Sequence, residues 1–179
     1  YQQLTDIASD FFAEVQNDAR RVFHGRGQCY PGLEHLPVDW YPPVLLITAY
    51  DIIDDPESLK SAILSQDRLA QIECVLIQHR KRKGTPSICL HGETINRCIV
   101  TEGGLKFEVQ PGVNQNAGLF LDMAPLRTWL QENSENRNIL NLFAYTCSLS
   151  VAALAGGATQ AVNVDMSKPS ISWGIRNHE

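Results

Sequence analysis

A chain of 179 residues that is 44% hydrophobic is long enough for one ordinary domain or two small ones with real cores. Its formal net charge of -5 supplies no general attraction to nucleic acid, so any RNA contact must be local. No apolar run nears the roughly 20 residues that cross a bilayer, and Tyr1-Gln2-Gln3-Leu4 lacks the basic-then-apolar order of a signal peptide, so the cytosol is the expected address.

Leu4, Ile7, Ala8, Phe11, Phe12, Val15, Ala19 and Val22 recur at helical spacing and predict an amphipathic helix over 4–23. The glycine-rich stretch 24–32 reads as a loop, and Pro42-Pro43 leads into a buried strand over 44–50. These elements make a first unit, 1–54. Asp55-Pro56-Glu57 opens a helix reaching Leu64, with Pro in the first turn. Strands follow over 72–78 and 86–90 around the turn 81–84, then a hairpin whose Gly103-Gly104 supplies positive φ. Together they predict a small mixed α/β domain over 55–115.

Beyond Asn116 the pattern turns to alternation: helix 125–132, strand 139–143, helix 149–155, strand 161–164, helix 169–177. Units of this length imply a parallel sheet with crossover helices. The fold class is therefore α/β, with the small domain followed by the first half of a Rossmann-like sheet over 116–179. The opening on Tyr1 and the helix-like Arg176-Asn177-His178-Glu179 predict a piece of a longer protein.

Five cysteines, odd in number and without a C-x-x-C pair, speak against a disulfide framework and a zinc site. Cys74, Cys89 and Cys98 fall in apolar stretches and read as core filling, and the histidines lack metal-ligand spacing, so no metal is expected. Two local features could touch RNA. One is the basic run His79-Arg80-Lys81-Arg82-Lys83, more simply read as a solvated turn; the other is the arginine, glycine and aromatic mixture from Arg20 to Tyr30, equally a connector.

The chemistry lies in Asn141-Leu142-Phe143-Ala144-Tyr145-Thr146-Cys147-Ser148, followed by a helix, Gly156-Gly157-Ala158, a second strand and Asp165. In nucleotide-binding α/β folds the turn after the first strand faces the ligand, and an acidic residue roughly 20 positions on accepts ribose hydroxyls. Asp165 has that place, although a strand-ending Asp is as readily a helix cap.

These motifs, with Gly118-Leu119-Phe120-Leu121-Asp122, Arg127 and Val164-Asp165-Met166-Ser167, resemble the start of the catalytic domain in class I methyltransferases of the bacterial large-subunit ribosomal RNA group. The resemblance implies S-adenosylmethionine as cofactor and ribosomal RNA as partner. It implies that Asn141, Phe143, Ala144, Tyr145, Thr146 and Ser148 line the methionine end. Asp165, followed by Met166, would hold the ribose, and Phe120 and Asp122 would close the pocket from the other side. Core packing is the competing role for Phe120 and Phe143.

Two departures stand out. Cys147 replaces the usual glycine and puts a side chain into the turn approaching the cofactor, and Met123-Ala124 replaces a polar residue and an arginine. They favour a rival reading, a noncatalytic RNA-binding protein with a degenerate fold. The family's base-holding Pro-Pro motif would fall beyond Glu179, so catalytic residues are expected there and this segment alone is not expected to be a complete catalyst.

Overall fold

The computed structural model describes residues 1–84 and 86–179. Helix α1 (Gln2–Phe11) buries Leu4 and Ala8, one turn apart on a single face. The helix stops there, which corrects the expectation of one helix through 23: residues 20–24 form strand β1 (Arg20–His24). The periodicity of Ala19 and Val22 fits either state, and tertiary pairing decides. The Ala19 N–H donates to Thr101 O at 2.7 Å, and β1 pairs antiparallel with β2 (Pro37–Tyr41). All five residues of β2 are buried. Its leading Pro37 and central Asp39 hide it in the sequence, and Asp39 is buried because Arg21 on β1 pairs with it at 2.7 Å.

The chain continues through β3 (Val44–Ala49), α2 (Pro56–Leu64), β4 (Cys74–His79) and β5 (Ser87–His91). Asp55 caps α2 by accepting from the Ser58 N–H at 2.8 Å. The five strands form one sheet in chain order, antiparallel except for β3 and β4, which run parallel across the α2 crossover. This sheet runs through the boundary drawn at 54/55, so residues on its two sides share one core.

Both sheet faces are covered, which is why β3 and β4 are buried throughout and mostly apolar. On one face α1 and α2 bring Leu4, Phe12, Leu59 and Ile63 against Trp40, Leu45, Ile47, Val75 and Ile77. On the other, Tyr41, Val44, Leu46 and Leu76 meet Val100, Phe107 and Val109 from a hairpin, β6 (Cys98–Glu102) and β7 (Leu105–Val109). Gly103 and Gly104, at φ +57° and +80°, make its turn. Cys74 is buried in this second core, with Cys89 and Cys98 packed against it.

Then come α3 (Ala124–Asn133), β8 (Asn138–Leu142), α4 (Ser148–Ala155), β9 (Gln160–Val164) and α5 (Lys168–Asn177). β8 and β9 pair in parallel across α4, as the alternation predicts. Asn141 and Asn163 stand opposite each other on the α4 side, while Leu140, Leu142, Val162 and Val164 are exposed on the other. Helix α5 ties this unit to β7 through buried Glu108. Its N–H donates to Asn177 Oδ1 at 2.8 Å, its O accepts from Trp173 Nε1 at 3.0 Å, and its carboxylate holds Arg176 and Arg97. Among the described residues, no helix is long and apolar enough to cross a membrane.

Candidate cofactor site

The loop between β8 and α4 is strained. Phe143, Tyr145 and Cys147 sit at φ +55°, +49° and +61°, the left-handed region, which costs a non-glycine residue of order 1 kcal/mol or more each. Hydrogen bonds from three sides hold it. Ala144 N–H donates to Val164 O at 3.1 Å and Tyr145 N–H to Asp165 Oδ2 at 2.8 Å. Thr146 Oγ1 donates to Gly118 O at 2.5 Å, and its carbonyl accepts from Asn177 Nδ2 at 2.9 Å.

Asp165 lies just past the carboxyl end of β9, where open α/β sheets bind ligands. Its Oδ1 accepts from Ser167 N–H at 2.8 Å, and the two backbone donors, Ser167 first and then Tyr145, hold its carboxyl below the usual range. The helix cap is a different residue: Ser167 Oγ accepts from Ser170 N–H. Asp165 is therefore not the N-cap of α5, and each of its oxygens keeps a lone pair for a further donor.

Beside the loop is a cavity of about 270 Å³. Phe120, Asp122, Met123 and Arg127 form one wall; the stretch 141–145 with Ser148 and Leu149 forms the other. Phe120 lies against the Tyr145 ring at 5.1 Å between centroids, and Tyr145 against Trp173 at 6.3 Å. Asn141 donates both amide hydrogens, to Ser150 Oγ at 3.0 Å and Asn163 Oδ1 at 2.9 Å, which leaves its Oδ1 to accept from a ligand.

The structure thus brings Phe120, Asp122, Asn141, Phe143, Ala144, Tyr145 and Ser148 to one cavity. It leaves out three other expected residues. Thr146 is fully buried with hydroxyl and carbonyl both engaged, so it anchors the loop. Asp165 stands one hydrogen bond behind Tyr145, and Met166 is 99% exposed beyond it. Neither Phe120 nor Phe143 is core: they are 45% and 89% exposed.

Cys147 does not crowd the cavity. It is buried beneath α5, where a Cβ built on Gly174 would stand 2.3 Å from its Sγ. Burial first, and the Asp165 carboxylate second, push the thiol up, so it stays protonated and inert.

Two contributors escaped the sequence reading as site residues. Arg127 is 2% exposed, is paired with Glu102, and donates to Phe120 O at 2.9 Å, fixing the cavity's far wall. Asn163 orients Asn141; a polar residue inside the apolar strand 161–164 was the available signal.

A parallel βαβ unit with a strained ligand-facing turn, a carboxylate after the second strand and an aromatic-walled cavity defines a nucleoside-binding α/β domain. The chain belongs to the family of S-adenosylmethionine-dependent methyltransferases, whose model matches residues 20–179. It is 33% identical over 152 residues to the ribosomal RNA large subunit methyltransferase K/L of Hahella chejuensis, covering 78% of this chain and 21% of the relative. It is 40% identical over 108 residues to the protein of that name from Magnetococcus marinus, covering 60% and 15%. A crystal structure assigned as a methyltransferase and complexed with SAH superposes with TM-score 0.78 at 24% identity, over 99% of this chain and 46% of that one. The SAM-dependent methyltransferase of Agrobacterium tumefaciens gives 0.61 at 19%, over 80% and 44%. These structures share the fold. The chain spans about a fifth of the length of the first curated relative and about half that of the first structure.

The donor set fits the family's cofactor. Asp122 and Asn141 Oδ1 can accept from an ammonium, Asp165 from ribose hydroxyls, and the Phe120 and Tyr145 rings suit a cationic sulfur. About 270 Å³ lies just under the roughly 300–1,000 Å³ of whole-ligand pockets, so the cavity would hold part of the cofactor.

Proposed function

We propose that this chain holds S-adenosylmethionine for methyl transfer to a base of ribosomal RNA. The observation that carries the reading is the Asp165–Tyr145 hydrogen bond, which fixes a carboxylate acceptor one hydrogen bond from a residue that lines the cavity. The relatives' names supply the RNA substrate.

When bound, the cofactor supplies an electrophilic methyl group on a sulfonium. The protein's part is alignment. Asn141, held by Ser150 and Asn163, presents one acceptor in one orientation, and Phe120, braced by Arg127, lies against the Tyr145 ring. The noncatalytic alternative loses one of its two supports, because the Cys147 side chain packs away from the cavity.

Calorimetric titration with S-adenosylmethionine and its demethylated product tests the reading. Hydrogen bonds to a charged acceptor contribute roughly 1.5–3 kcal/mol each, so Asp165→Ala weakens binding at least about tenfold. Asp165→Asn costs less. Ser167→Ala, which removes the cap, lowers stability by about 1 kcal/mol and leaves affinity unchanged. No heat with either ligand, or full affinity in Asp165→Ala, would overturn the assignment.

A further inference from the structure

A second pocket, of about 240 Å³, lies between the β1–β3 sheet and the segment leading into the cofactor cavity. Three arginines line it. Arg21 is paired with Asp39, but among the described residues Arg26 and Arg80 form no ion pair. They flank one ring: the Arg26 guanidinium lies 4.3 Å from the Tyr50 centroid and that of Arg80 5.9 Å from it. Arg80 Nε and Nη1 are buried with no hydrogen-bond partner among the described residues. Buried guanidinium nitrogens lacking acceptors are costly, and they call for an unseen partner.

We propose that this pocket is an anion subsite that takes a phosphodiester of single-stranded RNA. The proposal rests on the RNA-substrate reading above. Two forks facing one space match a phosphate's oxygens, which Arg binds bidentately. The Tyr50 ring is already covered by Arg26, so the pocket offers charge rather than a stacking face. Its position suits an RNA bound for methylation, because Phe120 and Asp122 line both this pocket and the cofactor cavity, so the two share a wall. In a chain of net charge -5, such a local site supplies the attraction that the whole molecule lacks.

The experiment measures binding of a fluorescent single-stranded RNA across a salt series, with SAH affinity read calorimetrically on the same full-length samples. Arg26→Gln and Arg80→Gln each weaken RNA binding about tenfold and lower the slope of log K against log salt by about one. SAH affinity stays the same. Arg80→Lys keeps the charge and loses the fork, so affinity falls while the slope holds. RNA binding that persists unchanged in the double Gln variant overturns the pocket while leaving the substrate reading intact. A wild-type protein that binds SAH and no RNA overturns both. Parallel loss of SAH affinity marks a damaged fold and counts against the proposal.

Discussion

Gly174 is the sharpest place to probe the packing behind the site. A Cβ there meets Cys147 Sγ at 2.3 Å and Cys147 Cβ at 3.0 Å, far inside contact distance, in a spot where the cysteine is 2% exposed and held at φ +61°. Overpacking of this kind costs about 1–3 kcal/mol. Alanine's helix propensity returns up to about 1 kcal/mol, so Gly174→Ala destabilises by roughly 1–2 kcal/mol, or about 2–4 °C in Tm per kcal/mol. In a Cys147→Gly background the sulfur and Cβ are gone and Thr146 C at 3.3 Å is the nearest remaining of these contacts, so the propensity gain outweighs what is left and the same change becomes stabilising. A double-mutant cycle read by urea denaturation measures this reversal, with a coupling of roughly 2 kcal/mol. Cofactor affinity stays constant throughout, since Cys147 does not line the cavity. Additive effects, or a Cys147→Gly protein that loses cofactor binding, would refute the reasoning.

Two further outcomes follow from the buried ion pairs. The Arg176 guanidinium foremost, against the opposing effect of burial and with help from Gln110 and Arg97, holds the Glu108 carboxyl down to about 2 from 4.5. A depressed carboxylate stabilises the fold above its unfolded value, so the urea midpoint falls as pH drops from about 4.5 toward 2, and Glu108→Gln flattens that limb. A variant with the wild-type acid profile would exclude Glu108 as the cause. Arg127→Ala leaves the Glu102 carboxylate unpaired and frees Phe120, costing about 3–5 kcal/mol and cofactor affinity together, with partial recovery of stability on adding Glu102→Gln. A loss under about 1 kcal/mol in the same denaturation assay would show that the pair does not brace the wall.

The C-terminal part was legible wherever its signals are local. Alternating apolar runs with caps and glycines between them locate β8, α4, β9 and α5 within a residue or two, and Asp165 follows from its distance to the β8 turn. The front of the chain was less legible because its strands depend on partners. β1 reads as helix until it meets β2, and β2 reads as connector until Arg21 neutralises Asp39. Residue type also says nothing about which way a side chain turns: Thr146 and Tyr145 are neighbours in one motif, yet one is locked inward and the other faces the cavity.

What the sequence determined by itself is the order of elements from α2 onward, the turn after β8 and the carboxylate after β9, since periodicity, capping and spacing act over a few residues. Only the tertiary structure decided that Cys147 is harmless, that Arg127 braces Phe120, and that Arg26 and Arg80 converge on Tyr50. Each of these depends on groups far apart in the chain meeting at van der Waals or hydrogen-bonding distance. Arg26 and Arg80, for instance, are brought to one ring by the four paired strands β1 to β4, and no local pattern encodes that encounter.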